Sequence, residues 1–177
     1  MISSSQLKKY SLITTVFFVI ITLSGCYSFK GSTIPTEMKT ISIPFFENTA
    51  SLVDAQLAND LTEAFKDRIR TQSKLSITQN EAQGKFEGKI TDYDIKPISI
   101  QDNKNPVAGA TRLTITVMVT YSNKVKGKES QGFSQSFSAF TDFSSAGQNF
   151  AAQQKSLNKK VIDQLTENIF NRAFSQW

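Results

Sequence analysis

At 177 residues, with 39% hydrophobic and 20% charged side chains, the chain carries one domain's worth of core plus an appendage and is not a disordered tail. It has no histidine and one cysteine, Cys26, which removes Ser-His-Asp and Cys-His catalysis, ordinary zinc sites and an intrachain disulfide. The formal charge of +5 drops to +3 without Lys8 and Lys9, and it is spread with no basic block, a pattern that argues against a nucleic-acid footprint.

Lys8 and Lys9 precede the apolar run "SLITTVFFVIITL", and Ser24 and Gly25 then lead into Cys26. A positive start, about a dozen apolar residues and small residues before a cleavage point are the three regions of a signal peptide. The run is short of the roughly 20 residues that span a bilayer. The competing reading is a plain membrane helix with an incidental cysteine. "LSGC" resembles the lipobox of bacterial lipoproteins, which implies that Cys26 becomes the lipidated N-terminus of the mature chain, carrying diacylglycerol on sulfur and an acyl group on nitrogen. Tyr27, not Asp, follows the cysteine, and by the same resemblance this implies residence in the outer membrane. The expected division is a signal peptide over 1–25, a lipidated tether over 26–36 and a single domain over 37–177.

Within that domain, "MKTISIPFFEN" alternates with Ile41, Ile43 and Phe45 on one face, and Pro44 predicts an edge position or the end of the strand. A helix is predicted over 51–71, capped by Ser51 with Asp54 three residues on, and striped by Leu57, Leu61, Ala64, Phe65 and Ile69. "KLSIT" is a short strand. In "KFEGKITDYDIKPISI" the apolar set changes parity between Ile90 and Tyr93, which predicts a β-bulge near Thr91 and Asp92. A polar loop, "QDNKNPVAGA", precedes the strand "TRLTITVMVTY". That strand sets Leu113, Ile115, Val117, Val119 and Tyr121 against a threonine-rich opposite face fit for water or a polar partner. A charged hairpin around Gly127 leads to "GFSQSFSAFTDF". The last helix starts near Asn149 and is striped by Leu157, Val161, Leu165, Ile169 and Ala173. The order β-α-β-β-β-β-α predicts an α+β two-layer sandwich, with a mixed or antiparallel sheet of four to five strands and two helices on one face.

Few residue sets here carry chemistry. Asp92 and Asp94 are a potential acid/base or cation pair, but with no third acidic ligand nearby they read as a solvated strand face. Phe133, Phe137, Phe140, Phe143 and Phe150 suit an acyl-chain site or, the favoured reading, core beneath the adjoining helix. Lys104 is placed to meet an anionic sugar or phosphate, or simply solvent. No G-x-S-x-G elbow or phosphate-cradling glycine loop occurs, so the chain reads as a non-enzyme, with no cofactor beyond lipid on Cys26.

Taken in order, the lipobox, "YSFKGSTIP", "KTISIPFFENTA", "LANDLTEAFKDRI", "RLTITVMVTYSN", "QSFSAFTDF" and "IFNRAFSQW" resemble the lipopolysaccharide-assembly lipoprotein family, LptE, in its Bacteroidetes-like form. The resemblance implies a lipoprotein on the periplasmic side of the outer membrane, acting as plug and assembly partner of a large β-barrel, LptD. It also implies lipopolysaccharide contact near loop tips, for which Lys104 and Lys155 are the candidates. "ISIPFFENTASL" with "LANDLTEAFKDRI" also resembles the opening of the curli-secretion and synthase-activator lipoproteins, which act as pores or as cell-wall synthase activators. That second likeness stops after about the first third of the domain. A carboxylate-dependent hydrolase would rest on Asp92 and Asp94 alone.

Overall fold

A bulged ladder of two long antiparallel strands organises the computed structural model. The structure describes residues 34–51, 54–100, 107–144 and 149–175, all within the unit Ser32–Trp177. Along the chain the elements are β1 (Thr40–Ser42), β2 (Glu47–Asn48), α1 (Leu57–Gln72), β3 (Ser76–Ile77), β4 (Gly84–Ile100), β5 (Val107–Asn123), a 3-10 turn (Glu129–Gln131), β6 (Phe133–Ser144) and α2 (Phe150–Phe174). Strand order is β3-β1-β4-β5-β6, with β2 also on β4. β1 and β2 run parallel to β4, and β3 parallel to β1, whereas β4-β5 and β5-β6 are antiparallel. The sheet is therefore mixed. It has six strands and not the expected four to five, because the first strand is broken in two.

Pro44 lies in the break. Four residues, Ile43 to Phe46, span the stretch that three residues, Phe86 to Gly88, cover on β4. The extra residue reverses parity, so Phe46 takes the core position and Phe45 turns outward, against the alternation read from the sequence. With no ladder partner at the break, the Phe46 N–H donates instead to Oγ1 of the fully buried Thr62 on α1 (3.0 Å), and that hydroxyl donates to the Ala58 carbonyl (2.6 Å). The bulge expected near Thr91 is present as a register shift between Ile90 and Asp92, and it keeps both Ile90 and Tyr93 in the core.

Both helices cover the same sheet face. Leu57, Leu61, Phe65 and Ile69 of α1 meet Leu157, Val161, Leu165 and Ile169 of α2 over Phe86, Ile90, Leu113, Ile115, Val117 and Val119. Rings run from the broken edge to the end of α2: Phe46 to Phe65 (6.0 Å between centroids), Phe65 to Phe86 (4.9 Å), Phe86 to Tyr121 (4.5 Å) and Tyr121 to Phe174 (5.8 Å). Each phenylalanine in that run is fully buried, worth roughly 1.5–3 kcal/mol relative to exposure. Burial pushes the Tyr121 phenol up to about 12.

Helix starts differ in their chemistry. α2 begins where expected, with Asn149 Oδ1 accepting the Ala151 N–H. α1 begins six residues after Ser51, which does not cap it. Asp54 organises this entry: Oδ1 accepts the Gln56 N–H (3.0 Å), while Oδ2 accepts from Asn158 Nδ2 (2.8 Å) and Gln154 Nε2 (3.1 Å) of α2. One carboxylate thus starts a helix and ties it to the other. At the helices' middle, Arg68 does the same, donating to Thr166 Oγ1 (3.0 Å) and the Asp163 carbonyl (3.0 Å).

Candidate interaction face

Among the described residues, the second sheet face carries no helix. Cross-strand pairing sets its side chains in rows: Glu87-Thr120-Ser134, Lys89-Met118-Ser136, Asp92-Thr116-Ser138, Asp94-Thr114-Phe140 and Lys96-Arg112-Asp142. β4 contributes charge, β5 threonine and β6 serine. Hydroxyls bond across the strands, Thr116 to Ser138 (3.2 Å) and Thr120 with Ser134 (3.0 Å).

Most charges on this face are paired with an opposite one, Asp92 being the exception among the described residues. Lys85 pairs with Glu87 (2.6 Å), Lys89 with Glu47 (3.4 Å) and Lys96 with Asp94 (2.8 Å). Arg112 holds Asp142 in a two-point fork, Nε to Oδ1 (2.7 Å) and Nη2 to Oδ2 (2.9 Å). Those hydrogen bonds hold the Asp142 carboxyl below its ordinary range and raise the Arg112 guanidinium; the hydrogen bond to Asp94 likewise raises Lys96. Asp92 and Asp94 stand opposite Thr116 and Thr114, with Asp94 engaged by Lys96, which is the solvated strand face read from the sequence.

Three large apolar side chains interrupt this polar surface: Phe45 (61% exposed), Phe140 (48%) and Met118 (40%). They are the exposed large hydrophobics of the described residues, and all three lie on the helix-free face. Phe45 and Met118 line one shallow groove with Pro44, Glu87, Lys89 and Thr120. The Phe140 ring lies under the Arg112 guanidinium, 3.8 Å from Cζ to centroid. This corrects the reading of Phe140 as core: Phe137 is buried, and Phe133, Phe143 and Phe150 pack against the core, but Phe140 has the opposite parity on β6. Parity alone marks Phe140 as outward. For Phe45 the cue is weaker, a proline that permits a break without locating its extra residue.

Cys26 and Lys104 lie outside the described residues. Lys155 is exposed on the first turns of α2, in a groove shared with Asp54, Asp60, Gln154 and Asn158. The fold therefore sets Lys155 in the helical layer, on the side of the sheet away from Phe45, Met118 and Phe140. Among the described residues, no helix is long and apolar enough to cross a membrane, and no three His, Cys, Asp or Glu side chains cluster as a metal site.

A family model described as "LptE: Lipopolysaccharide-assembly" matches residues 38–173, from the entry to β1 to the last turn of α2. The chain belongs to the LptE family. The match spans every described element, including both the broken edge strand and the serine-rich β6. No curated protein sequence matches this LptE-family chain. Among solved structures it is similar to a minor lipoprotein from Acinetobacter baumannii (16% identity, 76% of this chain and 91% of that one, TM-score 0.47). It is also similar to the rare lipoprotein B from Shewanella oneidensis (12%, 76% and 90%, TM-score 0.44) and to the PelC dodecamer from Paraburkholderia phytofirmans (12%, 76% and 90%, TM-score 0.43).

Proposed function

We propose that this LptE-family chain is a lipid-anchored subunit of an outer-membrane lipopolysaccharide translocon and serves as plug and assembly partner of an LptD-like β-barrel. Residues 1–25 are the signal peptide, acylated Cys26 is the anchor, residues 26–36 form the tether, and residues 37–177 form the domain at the periplasmic face. The protein makes and breaks no bonds. Family membership supports the lipopolysaccharide-assembly role.

The observation that supports the barrel contact is the confinement of Phe45, Met118 and Phe140 to one sheet face that no described helix covers and whose remainder is mostly hydroxyl and paired charge. A few apolar anchors within a polar surround is the composition of a docking surface. Large barrel lumens are polar, so hydroxyl rows suit the surround. Binding only the folded barrel shifts its assembly towards the native form, and lipidation raises the effective concentration by confining both partners to one membrane. Lys104 and Lys155 are the candidate lipopolysaccharide contacts.

Affinity purification from detergent-solubilised outer membrane tests this reading. It expects a large barrel in equal amount, lost on Phe45→Glu with Met118→Glu while circular dichroism stays unchanged. Recovery of a cell-wall synthase, or of self-assembled rings, would overturn it. Cys26→Ala should abolish palmitate labelling, and Lys104→Ala with Lys155→Ala should reduce lipopolysaccharide capture but leave the barrel bound.

A further inference from the structure

The two sides of the sheet are finished differently. Past β2, the free side of β4 carries a bulge at Thr91, a second register shift between Ile98 and Ile100, the charges of Asp92, Asp94 and Lys96, and Pro97. Bulges, charges and proline are the devices that stop one edge strand from pairing with another. β6 is less protected in its own residues, although Arg172 of α2 reaches over it to Gln135 Oε1 (3.1 Å) and the Phe133 ring. Its 12 residues, "FSQSFSAFTDFS", pair with β5 in one unbroken register and contain no lysine or proline, and among the described residues no second strand pairs with it. Its single charge, Asp142, is engaged by Arg112. Every second N–H and C=O along β6 faces away from β5, a ready template for another strand.

We propose that β6 is a self-association edge, pairing antiparallel with the β6 of a second copy about a two-fold axis through Ser138. The strand is complementary to itself in that register. On the helix-free face Ser138 meets Ser138, Phe140 meets the small Ser136, and Asp142 meets Ser134. On the other face Phe137 meets Ala139, Gln135 meets Thr141, and Phe133 meets Phe143. No like charges oppose one another, large side chains face small ones or form an aromatic pair, and the isologous contact closes at two copies. Pairing also joins the two helix-free faces side by side. This inference concerns the chain apart from any barrel and does not depend on the barrel reading.

The test uses the purified mature lipoprotein in detergent, free of any barrel, carrying Ser138→Cys or Ser134→Cys, with the unsubstituted protein giving the background. Mild oxidation should convert most of the Ser138→Cys protein to a disulfide-linked dimer. Ser134→Cys should stay at background, since in this register its two copies lie roughly 27 Å apart. Adding Ser136→Lys to Ser138→Cys should reduce the cross-link at least tenfold with circular dichroism unchanged. Monomeric Ser138→Cys, equal cross-linking at both positions, or linkage to a protein of different mass would each overturn the proposal.

Discussion

The ring of Phe46 lies directly on the backbone of Gly88: a Cβ built there would sit 2.5 Å from two ring carbons. This close approach lets the broken edge strand deliver a full aromatic side chain to the core. Gly88→Ala must displace the ring or the strand, and overpacking of this kind costs about 1–3 kcal/mol. Urea unfolding should show a lower midpoint at unchanged slope. An unshifted midpoint would mean that the ring has room to move.

Thr62 should matter through its hydroxyl more than its volume. Thr62→Val keeps the shape but strands the buried Phe46 N–H, at about 1–3 kcal/mol. Thr62→Ser keeps the acceptor and should recover most of that loss. If valine and serine prove equally stable, the hydrogen bond does not hold the break in place.

Asp54 and Ser51 make a paired test of the helix entry. Asp54 accepts from the α1 entry and from two amides of α2, so Asp54→Ala should cost about 1–3 kcal/mol, read by thermal unfolding. Ser51→Ala should stay within about 0.5 kcal/mol. The reverse ranking would restore the capping read from the sequence.

The Arg112–Asp142 fork predicts a pH dependence with a definite sign. The folded Asp142 carboxyl titrates below its ordinary value, so its stabilising contribution is present above that value of 3.8 and is lost as pH falls through the lower folded one. Both groups are partly exposed, which keeps the effect small. The stability gap between the parent protein and Asp142→Asn at about pH 6 should therefore close in acid. Carboxyl carbon NMR should place the Asp142 midpoint below its ordinary value of 3.8 and return it towards that value in Arg112→Lys, which loses the two-point geometry. A midpoint unmoved by that substitution would dissociate the shift from the fork.

Much of the architecture was legible in the residues because periodicity reports burial one element at a time. Strict alternation from Leu113 to Tyr121, the stripe from Leu57 to Ile69 and the parity change before Tyr93 named the central strand, the first helix and the bulge. What failed was local phase. Pro44 marked a break, but only the ladder against β4 shows which side of the extra residue each phenylalanine takes, and so exchanges Phe45 for Phe46. Ser51 had the chemistry of a cap, and only the approach of Gln154 and Asn158 from the other helix assigns the entry to Asp54.

Side-chain chemistry and spacing along the chain thus settled the elements, their buried stripes and the absence of histidine-based catalysis. Packing between segments distant in sequence settled which sheet face the two described helices cover, which aromatic residues stand on the other and which described strand pairs on one side alone. The reason is physical: a period records what one segment wants to bury, whereas register and exposure depend on neighbours that the segment meets only once the chain has folded.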